Sequence, residues 1–231
     1  MIERYLVQGS TFAADIDGII WLVGVLVGFW FLVAEGVFFW LILKFRARDG
    51  QRAQYITGEE KKQMRFISWP HYLVLVCDVF IVVGAVRVWV EVKQSLPSEA
   101  EAQHVRVVAQ QWAWSFVHPG ADGKLDTADD IRSVDELHVQ VNQKYIYELE
   151  SRDVLHDFSV PVFRLKQDAI PGRVITGWFE PTLTGTHDIQ CAEICGIGHG
   201  LMAGRIVIES PEQHAAWIAA QSSSQLAANL R

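Results

Sequence analysis

Two long apolar runs near the start of the chain set the strongest limit on what it can fold into. The first covers residues 18–45 and reads GIIWLVGVLVGFWFLVAEGVFFWLILKF, and the second covers residues 71–92 and reads HYLVLVCDVFIVVGAVRVWVEV. A helix needs about 20 mostly apolar residues to cross a bilayer, so both runs are long enough. A buried helix of a soluble protein can resemble the second run. The sequence predicts a transmembrane two-helix hairpin within residues 1–94.

The connection between the two runs is rich in basic residues and sets the expected orientation. Together with Lys44 at the end of the first run, it contains seven Lys and Arg residues against three Asp and Glu residues. Cytoplasmic loops carry an excess of Lys and Arg, so we expect this loop on the cytoplasmic side. Both termini then lie outside the cytoplasm. We therefore expect a two-pass membrane protein whose C-terminal domain lies outside the cytoplasm, on the periplasmic side of the bacterial inner membrane if the cell is a Gram-negative bacterium.

Glu35, Asp78 and Arg87 are ionisable residues that lie at membrane depth inside the apolar runs. Such groups are costly when they face lipid, so they should face a partner helix or a water-filled path. A polar contact to a neighbouring helix, without chemistry, is the simpler interpretation. Both interpretations predict a partner membrane subunit, because two helices alone shield such groups poorly.

After Pro97 the pattern changes to short runs that are rich in β-branched and aromatic residues and are separated by turn-forming pairs. Many short strands at this spacing predict that residues 95–231 form an all-β antiparallel sandwich with a Greek key. A short helix should begin at Pro211 and end near residue 220. The candidate strands are residues 104–110, 112–117, 136–141, 144–150, 160–165, 173–179, 186–190 and 205–209.

Acidic residues dominate this second domain. From residue 94 onward there are ten Lys and Arg residues against 18 Asp and Glu residues. The acidic balance disfavours nucleic acid as a ligand and would attract a basic protein partner, although it could also serve only to keep the domain soluble. Residues 120–130 contain four Asp residues and weakly resemble a calcium loop, but the ligand spacing and closing Glu of an EF-hand are missing. A solvated hairpin tip is the preferred interpretation.

Residues 191–202, CAEICGIGHGLM, concentrate two thiols, an imidazole and a thioether. Soft sulfur ligands with imidazole suit copper and zinc. A structural zinc site seldom uses Met, and a mononuclear blue-copper site needs only one Cys with two His and an axial Met. The second Cys is one thiolate too many for that site. Two bridging thiolates would instead hold two copper ions side by side.

A disulfide between Cys191 and Cys195 is the alternative, since such pairs are common in oxidising compartments. The nearby His199 and Met202 argue against it, because a disulfide has no use for either side chain. Cys77, the remaining cysteine, fits a small apolar position in the second span.

Two copper ions need at least one further ligand from elsewhere, and His156 is the best candidate. It lies in the segment DVLHDFSVP, residues 153–161, between predicted strands. A loop on a rigid scaffold is a common position for a functional side chain. The remaining histidines of the domain fit surface or strand positions better, namely His104, His118, His138, His187 and His214.

Taken together, these residues resemble a known family. The pattern C-x-E-x-C-x3-H-x2-M, with D-V-x-H upstream, is similar to the CuA domain of cytochrome c oxidase subunit II. QWAWSF at residues 111–116 resembles the aromatic stretch of that family, and KQDAIPGR at residues 166–173 resembles its characteristic run. The resemblance covers nearly the whole chain. It implies a cupredoxin-like sandwich held at the membrane by the two-helix hairpin.

The resemblance also implies a metal role for six residues. The two thiolates would bridge both copper ions of the CuA centre, one imidazole and the thioether would complete one ion, and the second imidazole and a backbone carbonyl would complete the other. The carboxylate of the residue that supplies this carbonyl would point toward a magnesium site shared with the catalytic subunit. The bridging thiolates would be those of Cys191 and Cys195. His156 and Met202 would complete one ion, and His199 and the carbonyl of Glu193 would complete the other.

Two further positions match the surface of the family that receives electrons. Trp112 matches the Trp through which cytochrome c delivers its electron, and Asp153 matches an acidic docking position. Trp112 could instead be a core aromatic, because Trp114 alternates with it along a predicted strand and one of the two should point inward.

Three positions depart from the family pattern. Phe66 stands where the second span usually has a Glu that helps proton uptake, and Val117 stands where many members have a docking Glu. Phe158 replaces the usual Trp two residues after the His ligand. These departures put proton pumping by the usual path, and a mitochondrial-type cytochrome c as donor, in question.

The resulting functional prediction is an electron-transfer subunit II of a haem–copper terminal oxidase. It would accept electrons from a c-type cytochrome at CuA and pass them to a haem-bearing catalytic subunit I, with no oxygen-reducing site of its own. One alternative is the equivalent subunit of a CuA-containing nitric oxide reductase. Another, from a different class, is a membrane-tethered copper carrier or sensor, which a closed ligand set disfavours.

Overall fold

The computed structural model describes residues 7–52, 55 and 57–229 of the 231-residue chain. The chain divides into two compact units. One is the segment Asp15–Trp89, and the other consists of the described residues on either side of that segment.

The first unit is a pair of apolar helices, α1 from Ala13 to Lys44 and α2 from Lys61 to Trp89. Both are long and apolar enough to cross a membrane, and most of their large apolar side chains are exposed. The prediction of two apolar N-terminal helices is confirmed. Helix α2 begins ten residues before the second apolar run and contains Pro70, which removes one hydrogen bond from the helix without ending it. Asp78 and Arg87 are exposed on this unit, so the prediction that they face a partner remains open.

The second unit is a sandwich of two five-stranded sheets, so the predicted fold class is confirmed. The sheet orders are β3-β2-β1-β5-β8 and β4-β10-β9-β6-β7. The strands are β1 Ala102–Gln110, β2 Ala113–His118, β3 Ile131–Val134, β4 Glu136–Gln140, β5 Lys144–Ser151, β6 His156–Val160, β7 Leu165–Ala169, β8 Ile175–Phe179, β9 Gly185–Cys191 and β10 Ala203–Glu209.

The sheets are mixed rather than purely antiparallel, which corrects one detail of the prediction. Strands β1 and β5 pair in parallel, and so do β4 and β10. Parallel neighbours need a long connection, and here the chain between β1 and β5 runs through strands of both sheets. This crossing between sheets produces the parallel pairs.

The predicted strand at residues 160–165 is wrong. Those residues contain a 3-10 turn, Pro161–Phe163, followed by Arg164 in the left-handed conformation with φ 59°. The proline starts the turn, and strands β6 and β7 lie on either side of it. All residues of β6 are buried, so it lacks the polar and apolar alternation by which a strand can be read from sequence. The sequence pattern also did not predict the short strand β3.

Residues 9–12, just before α1, pack against the sandwich, whereas the predicted boundary placed all of residues 1–94 in the hairpin domain. The backbone amide of Gly9 donates to the carbonyl of Val162 at 2.8 Å, and Ser10 Oγ donates to the carbonyl of Phe163 at 2.9 Å. Phe12 is buried against the edge of Trp178, with ring centroids 5.4 Å apart. These contacts add a short N-terminal segment to the second unit.

An aromatic cluster fills the space between the two sheets. Phe158 on β6 lies at its centre, with its ring centroid 5.4 Å from that of Trp114, 6.4 Å from Phe116 and 6.1 Å from Tyr147. All four side chains are fully buried. Aromatic rings meeting edge to face at such distances stabilise a core beyond their buried area. The cluster therefore gives strand β6 a rigid support.

The acidic segment 120–130 joins the antiparallel strands β2 and β3, which agrees with a hairpin tip. Asp126 in this loop pairs with Arg106 on β1 at 2.7 Å, and Arg106 also bonds Glu148 on β5 at 2.7 Å. The hairpin tip is thus tied to the first sheet.

The C-terminal helix, α3 from Pro211 to Asn229, is longer than predicted and packs on two histidines of the sandwich through Trp217, which also stacks on His214 of the same helix. The imidazole of His138 stacks on the Trp217 ring at 4.3 Å, and His118 meets it edge-on at 4.9 Å. Glu209 accepts from His138 at 3.1 Å and from His214 at 3.0 Å. Burial, followed by the charges of His138 and His214, lowers the pKa of His118 to about 3.

The lowered pKa of His118 predicts that the free energy of unfolding decreases at acid pH. The pKa of His118 is 6.5 as an unperturbed side chain and about 3 in the fold, so the unfolded chain binds a proton more readily. The stabilising contribution is complete above pH 6.5 and decreases by about 1.4 kcal/mol per pH unit as the pH falls toward 3. We expect the free energy of unfolding of the His118→Phe variant to lack this part of the pH dependence.

The measurement is the unfolding free energy of the metal-free full chain in detergent between pH 7.5 and 4.5. His104→Phe is the matched control, because His104 is partly exposed on the neighbouring strand and bonds Glu99. Equal pH slopes for the wild type and His118→Phe would contradict the prediction.

Candidate metal centre

Three neighbouring strands bring the predicted donors to one end of the second sheet. His156 is the first residue of β6, and Cys191 is the last residue of β9. Phe158 pairs with Cys191 across these two strands. Met202 comes immediately before β10, and its carbonyl accepts from the amide of Cys191 at 3.1 Å. The predicted loop position of His156 is therefore corrected to the beginning of a buried strand.

The side chains predicted as metal ligands converge in this place. The two thiol sulfurs are 3.7 Å apart, and the Nδ1 atom of His156 lies 3.1 Å from the sulfur of Met202. Further contacts join Cys191 Sγ to His156 Nδ1 at 3.9 Å, Cys195 Sγ to His199 Nδ1 at 3.7 Å, Cys195 Sγ to Met202 Sδ at 3.8 Å and Cys191 Sγ to the carbonyl oxygen of Glu193 at 3.3 Å. Two thiols, two imidazoles, a thioether and a carbonyl thus form one cluster.

The geometry does not fit the disulfide alternative. Both cysteines are free thiols, and their sulfur separation of 3.7 Å is far longer than the roughly 2.05 Å of a disulfide bond. Burial, and then the hydrogen bond and charge of Cys191, raise the pKa of the Cys195 thiol above its ordinary value. Two buried thiolates therefore need a bound cation, and metal binding removes thiol protons outright.

The donor chemistry fits copper. His156, Cys191 and Cys195 offer ligand atoms within 4.8 Å of one another, and these three residues and Met202 are all buried. Soft sulfur atoms beside imidazole nitrogen are the donors that copper and zinc prefer, and the thioether favours copper. The two imidazoles contact the cluster at different sulfur atoms, since His156 lies by Cys191 and Met202 while His199 lies by Cys195. The set has enough donors for two ions that share the thiolates.

Asp153 lies behind His156 and fixes its ring. The Nε2 atom of His156 donates to Asp153 Oδ1 at 2.8 Å, which leaves the unprotonated Nδ1 atom directed at the sulfur atoms. The backbone amides of Gln111 and Val154 also donate to Asp153, both at 2.6 Å. Burial raises the pKa of Asp153, but these hydrogen bonds outweigh it and hold the pKa below its usual range. A carboxylate in this position orients a metal-binding imidazole.

Trp112 covers the cysteine loop from the outside. It is 40% exposed, and its Nε1 atom donates to the carbonyl of Cys195 at 3.3 Å. Trp114 is the aromatic that points inward and is fully buried. The ring of Trp112 rests on Gly198, where an added Cβ atom would lie 2.4 Å from the ring. The exposed position expected for Trp112 from the family pattern is the one observed.

The remaining predicted site residue, Glu193, is exposed next to the cluster. Three apolar residues of the same loop region are also strongly exposed: Ile194 at 75%, Ile197 at 96% and Leu201 at 86%. A group of exposed apolar side chains of this kind is typical of a surface that another protein covers.

Sequence reasoning missed Gln111. Its side-chain Nε2 atom donates to the carbonyl of Cys195 at 2.8 Å, while its backbone amide bonds Asp153. The only available signal was its position beside Trp112 in the aromatic stretch, because a glutamine has no ligand chemistry of its own and Cys195 lies 84 positions away.

Comparisons with known proteins show which family this chain resembles. The family model described as cytochrome C oxidase subunit II, periplasmic domain, matches residues 103–211. The alternative cytochrome c oxidase subunit 2 of Bradyrhizobium diazoefficiens is 31% identical over 205 residues, which cover 79% of this chain and 71% of the relative. Cytochrome c oxidase subunit 2 of Thermostichus vulcanus is 42% identical over 113 residues, which cover 49% of this chain and 32% of that relative.

A solved structure has the same fold as the second unit. It is the periplasmic domain of subunit II of cytochrome oxidase (CoxB) of Bradyrhizobium japonicum, with a TM-score of 0.50 and 26% sequence identity. The match covers 56% of this chain and 99% of that one.

The contact between Gly198 and Trp112 leads to a prediction. Gly198 has φ −89°, which any residue can adopt, so Gly198→Ala tests only the space beside the ring. The added methyl group must displace Trp112 or the cysteine loop. We expect the metal-free chain to lose about 1–3 kcal/mol of unfolding free energy and to retain copper less well.

Gly200→Ala is the matched control, because a Cβ atom there would meet nothing within 4 Å. The measurements are denaturant unfolding of the metal-free chain and the copper content after gel filtration. If both alanine variants behaved like the wild type, Trp112 would not be packed against this loop.

Proposed function

The chain belongs to the cytochrome c oxidase subunit II family, the electron-transfer subunits of haem–copper oxidases, and from this premise we propose that it holds a binuclear CuA centre and relays electrons. The observation that carries the proposal is the buried cluster of two thiols 3.7 Å apart with two imidazoles and a thioether around them. The proposed ligands are His156, Cys191, Glu193 through its carbonyl, Cys195, His199 and Met202.

A copper pair bound here would supply a one-electron carrier. The protein's part is to keep the donors in one arrangement, so that little movement accompanies each transfer. His156 begins β6 and Met202 immediately precedes β10, the two strands that flank β9, and Asp153 fixes the His156 ring. Burial of both thiols and of Met202 keeps water away from the sulfur atoms.

We propose that electrons enter at Trp112. Its exposed ring lies over the loop, and its Nε1 atom bonds the carbonyl of a proposed ligand residue, Cys195. The donor is proposed to be a c-type cytochrome. Asp153 keeps 29% of its side chain exposed while it holds His156, so its carboxylate can also face a basic donor. The acidic surplus of the domain would steer such a donor toward it.

The proposed partner on the other side is a haem-bearing catalytic subunit I. The exposed apolar surface of α1 and α2 and the exposed side chains of Ile194 and Ile197 are consistent with burial against another membrane protein. Glu193 lies between these loop residues and Cys191, and we propose that its exposed carboxylate contributes to a magnesium site at this interface. The proposed location is the bacterial inner membrane, with the sandwich in the periplasm.

Copper loading tests the central proposal. We expect the full chain in detergent to take up two copper ions that share one unpaired electron. Its electron spin resonance spectrum should show coupling to two equivalent copper nuclei. A spectrum from a single copper nucleus, or a content of one copper per chain, would overturn the binuclear centre.

Two variants separate the roles within the centre. Cys195→Ser should abolish the shared-electron signal, because it removes a bridging thiolate, whereas Met202→Leu should keep the copper and alter its spectrum. Cys77→Ser is the control, since it removes a thiol from the hairpin unit and should leave the copper signal unchanged.

The proposed terminal acceptor is oxygen, because the relatives of this chain are named as cytochrome c oxidase subunits. We expect a haem-bearing subunit to copurify with the full chain and the complex to consume oxygen with reduced cytochrome c. Consumption of nitric oxide alone would assign the chain to a nitric oxide reductase. Loss of copper to a weak chelator, with no haem-bearing partner, would indicate a copper carrier.

A further inference from the structure

Gln111 occupies a turn between two strands and reaches two separate parts of the metal centre. It follows the last residue of β1 and precedes Trp112 and β2. Its side-chain Nε2 atom donates to the carbonyl of Cys195 at 2.8 Å. Its backbone amide donates to Asp153 Oδ2 at 2.6 Å. One residue thus bonds the cysteine loop and the segment that leads into His156.

The two segments come from distant parts of the chain. Asp153 lies between β5 and β6 and His156 begins β6, whereas Cys195 lies between β9 and β10. Asp153 links Gln111 to His156, because its other oxygen accepts a hydrogen bond from His156 Nε2 at 2.8 Å. A continuous path of hydrogen bonds therefore runs from His156 through Asp153 and Gln111 to the peptide group of Cys195.

We propose that Gln111 is a positioning residue that sets the distance between the His156 and Cys195 sides of the metal centre. This inference rests on the proposed function, because it concerns copper bound at that centre. Within the described part of the chain, Gln111 bonds the Cys195 carbonyl and Asp153 rather than a thiol or an imidazole, so it acts through the residues that carry the ligand atoms.

The shape of the cysteine loop agrees with this role. Gly196 follows Cys195 with φ +119°, a conformation that favours glycine. A Cβ atom at Gly196 would lie 2.9 Å from Gln111 Nε2 and 3.2 Å from the ring of Trp112. The absence of a side chain at this position lets the amide of Gln111 approach the carbonyl of Cys195 closely.

The bond to Cys195 also has an electronic consequence. Gln111 Nε2 and Trp112 Nε1 both donate to the Cys195 carbonyl, at 2.8 and 3.3 Å. Donors near a thiolate ligand favour the state with more electron density, which is the reduced state, and hydrogen bonding of this kind tunes a metal centre. Loss of the Gln111 donor should therefore lower the reduction potential.

The test compares three variants of the full chain in detergent. Gln111→Leu keeps the approximate size of the side chain and removes the donor, while the backbone bond to Asp153 remains. Gln111→Glu keeps the shape and directs a carboxylate at the Cys195 carbonyl. Gln110→Leu is the matched control, because Gln110 lies one position earlier and accepts a single exposed bond from Arg152 at 3.4 Å.

The primary measurement is the rate at which copper leaves the protein for a chelator. We expect copper loss to become roughly threefold to tenfold faster in Gln111→Leu, the effect of one hydrogen bond, and faster still in Gln111→Glu. The spin resonance spectrum and the reduction potential should shift in both variants. Gln110→Leu should match the wild type in all three measurements.

Unfolding of the metal-free proteins distinguishes positioning from general stability. Equal stability of Gln111→Leu and Gln110→Leu, with faster copper loss only in the former, supports the proposal. Unchanged copper loss, spectrum and potential in Gln111→Leu would overturn it, and so would normal behaviour of Gln111→Glu. Copper content of the wild type is measured first, so that a wild type without two copper ions refutes the proposed function rather than the role of Gln111.

Discussion

The hydrogen-bonded register of β6, β9 and β10 decides where the sulfur and nitrogen donors meet. Phe158 pairs with Cys191, and the backbone of Cys191 bonds that of Met202. A slip of one residue in any of these strands would turn the donor to the opposite face of the sheet. The aromatic cluster around Phe158 resists such a slip, because its ring is enclosed by rings from the other sheet. Packing of the core therefore also fixes the geometry of the centre.

Burial of two adjacent thiols gives the site its chemical character. Removal from water disfavours the thiolate form, so the pocket has no stable pair of thiolates without a cation to neutralise them. The residues that form hydrogen bonds to the site hold the donor groups in place. Asp153 holds the His156 ring with Nδ1 toward the sulfur atoms, and Gln111 and Trp112 hold the carbonyl of Cys195. An electron carrier needs this rigidity, because movement of ligands slows each transfer.

Much of the fold and of the donor set could be predicted from the chain alone. The two apolar runs are local features whose length suffices for a membrane helix. The donors of residues 191–202 lie close in sequence, so their types and spacing were readable together. Strand β6 was not readable, because every residue from His156 to Val160 is buried and no alternation remains. The packing of Phe12 on the sandwich was also hidden, since it depends on Trp178 far along the chain.

The sequence by itself therefore determined the two apolar helices, the sandwich and which sulfur and imidazole side chains are proposed as metal donors. Only the tertiary structure decided that Asp153 orients His156, that Trp114 is buried while Trp112 is exposed, and that Gln111 joins two segments of the site. The physical reason is distance along the chain. Periodicity and spacing report on neighbours in sequence, whereas a hydrogen bond between Gln111 and Cys195 spans 84 positions and exists only after the strands have paired.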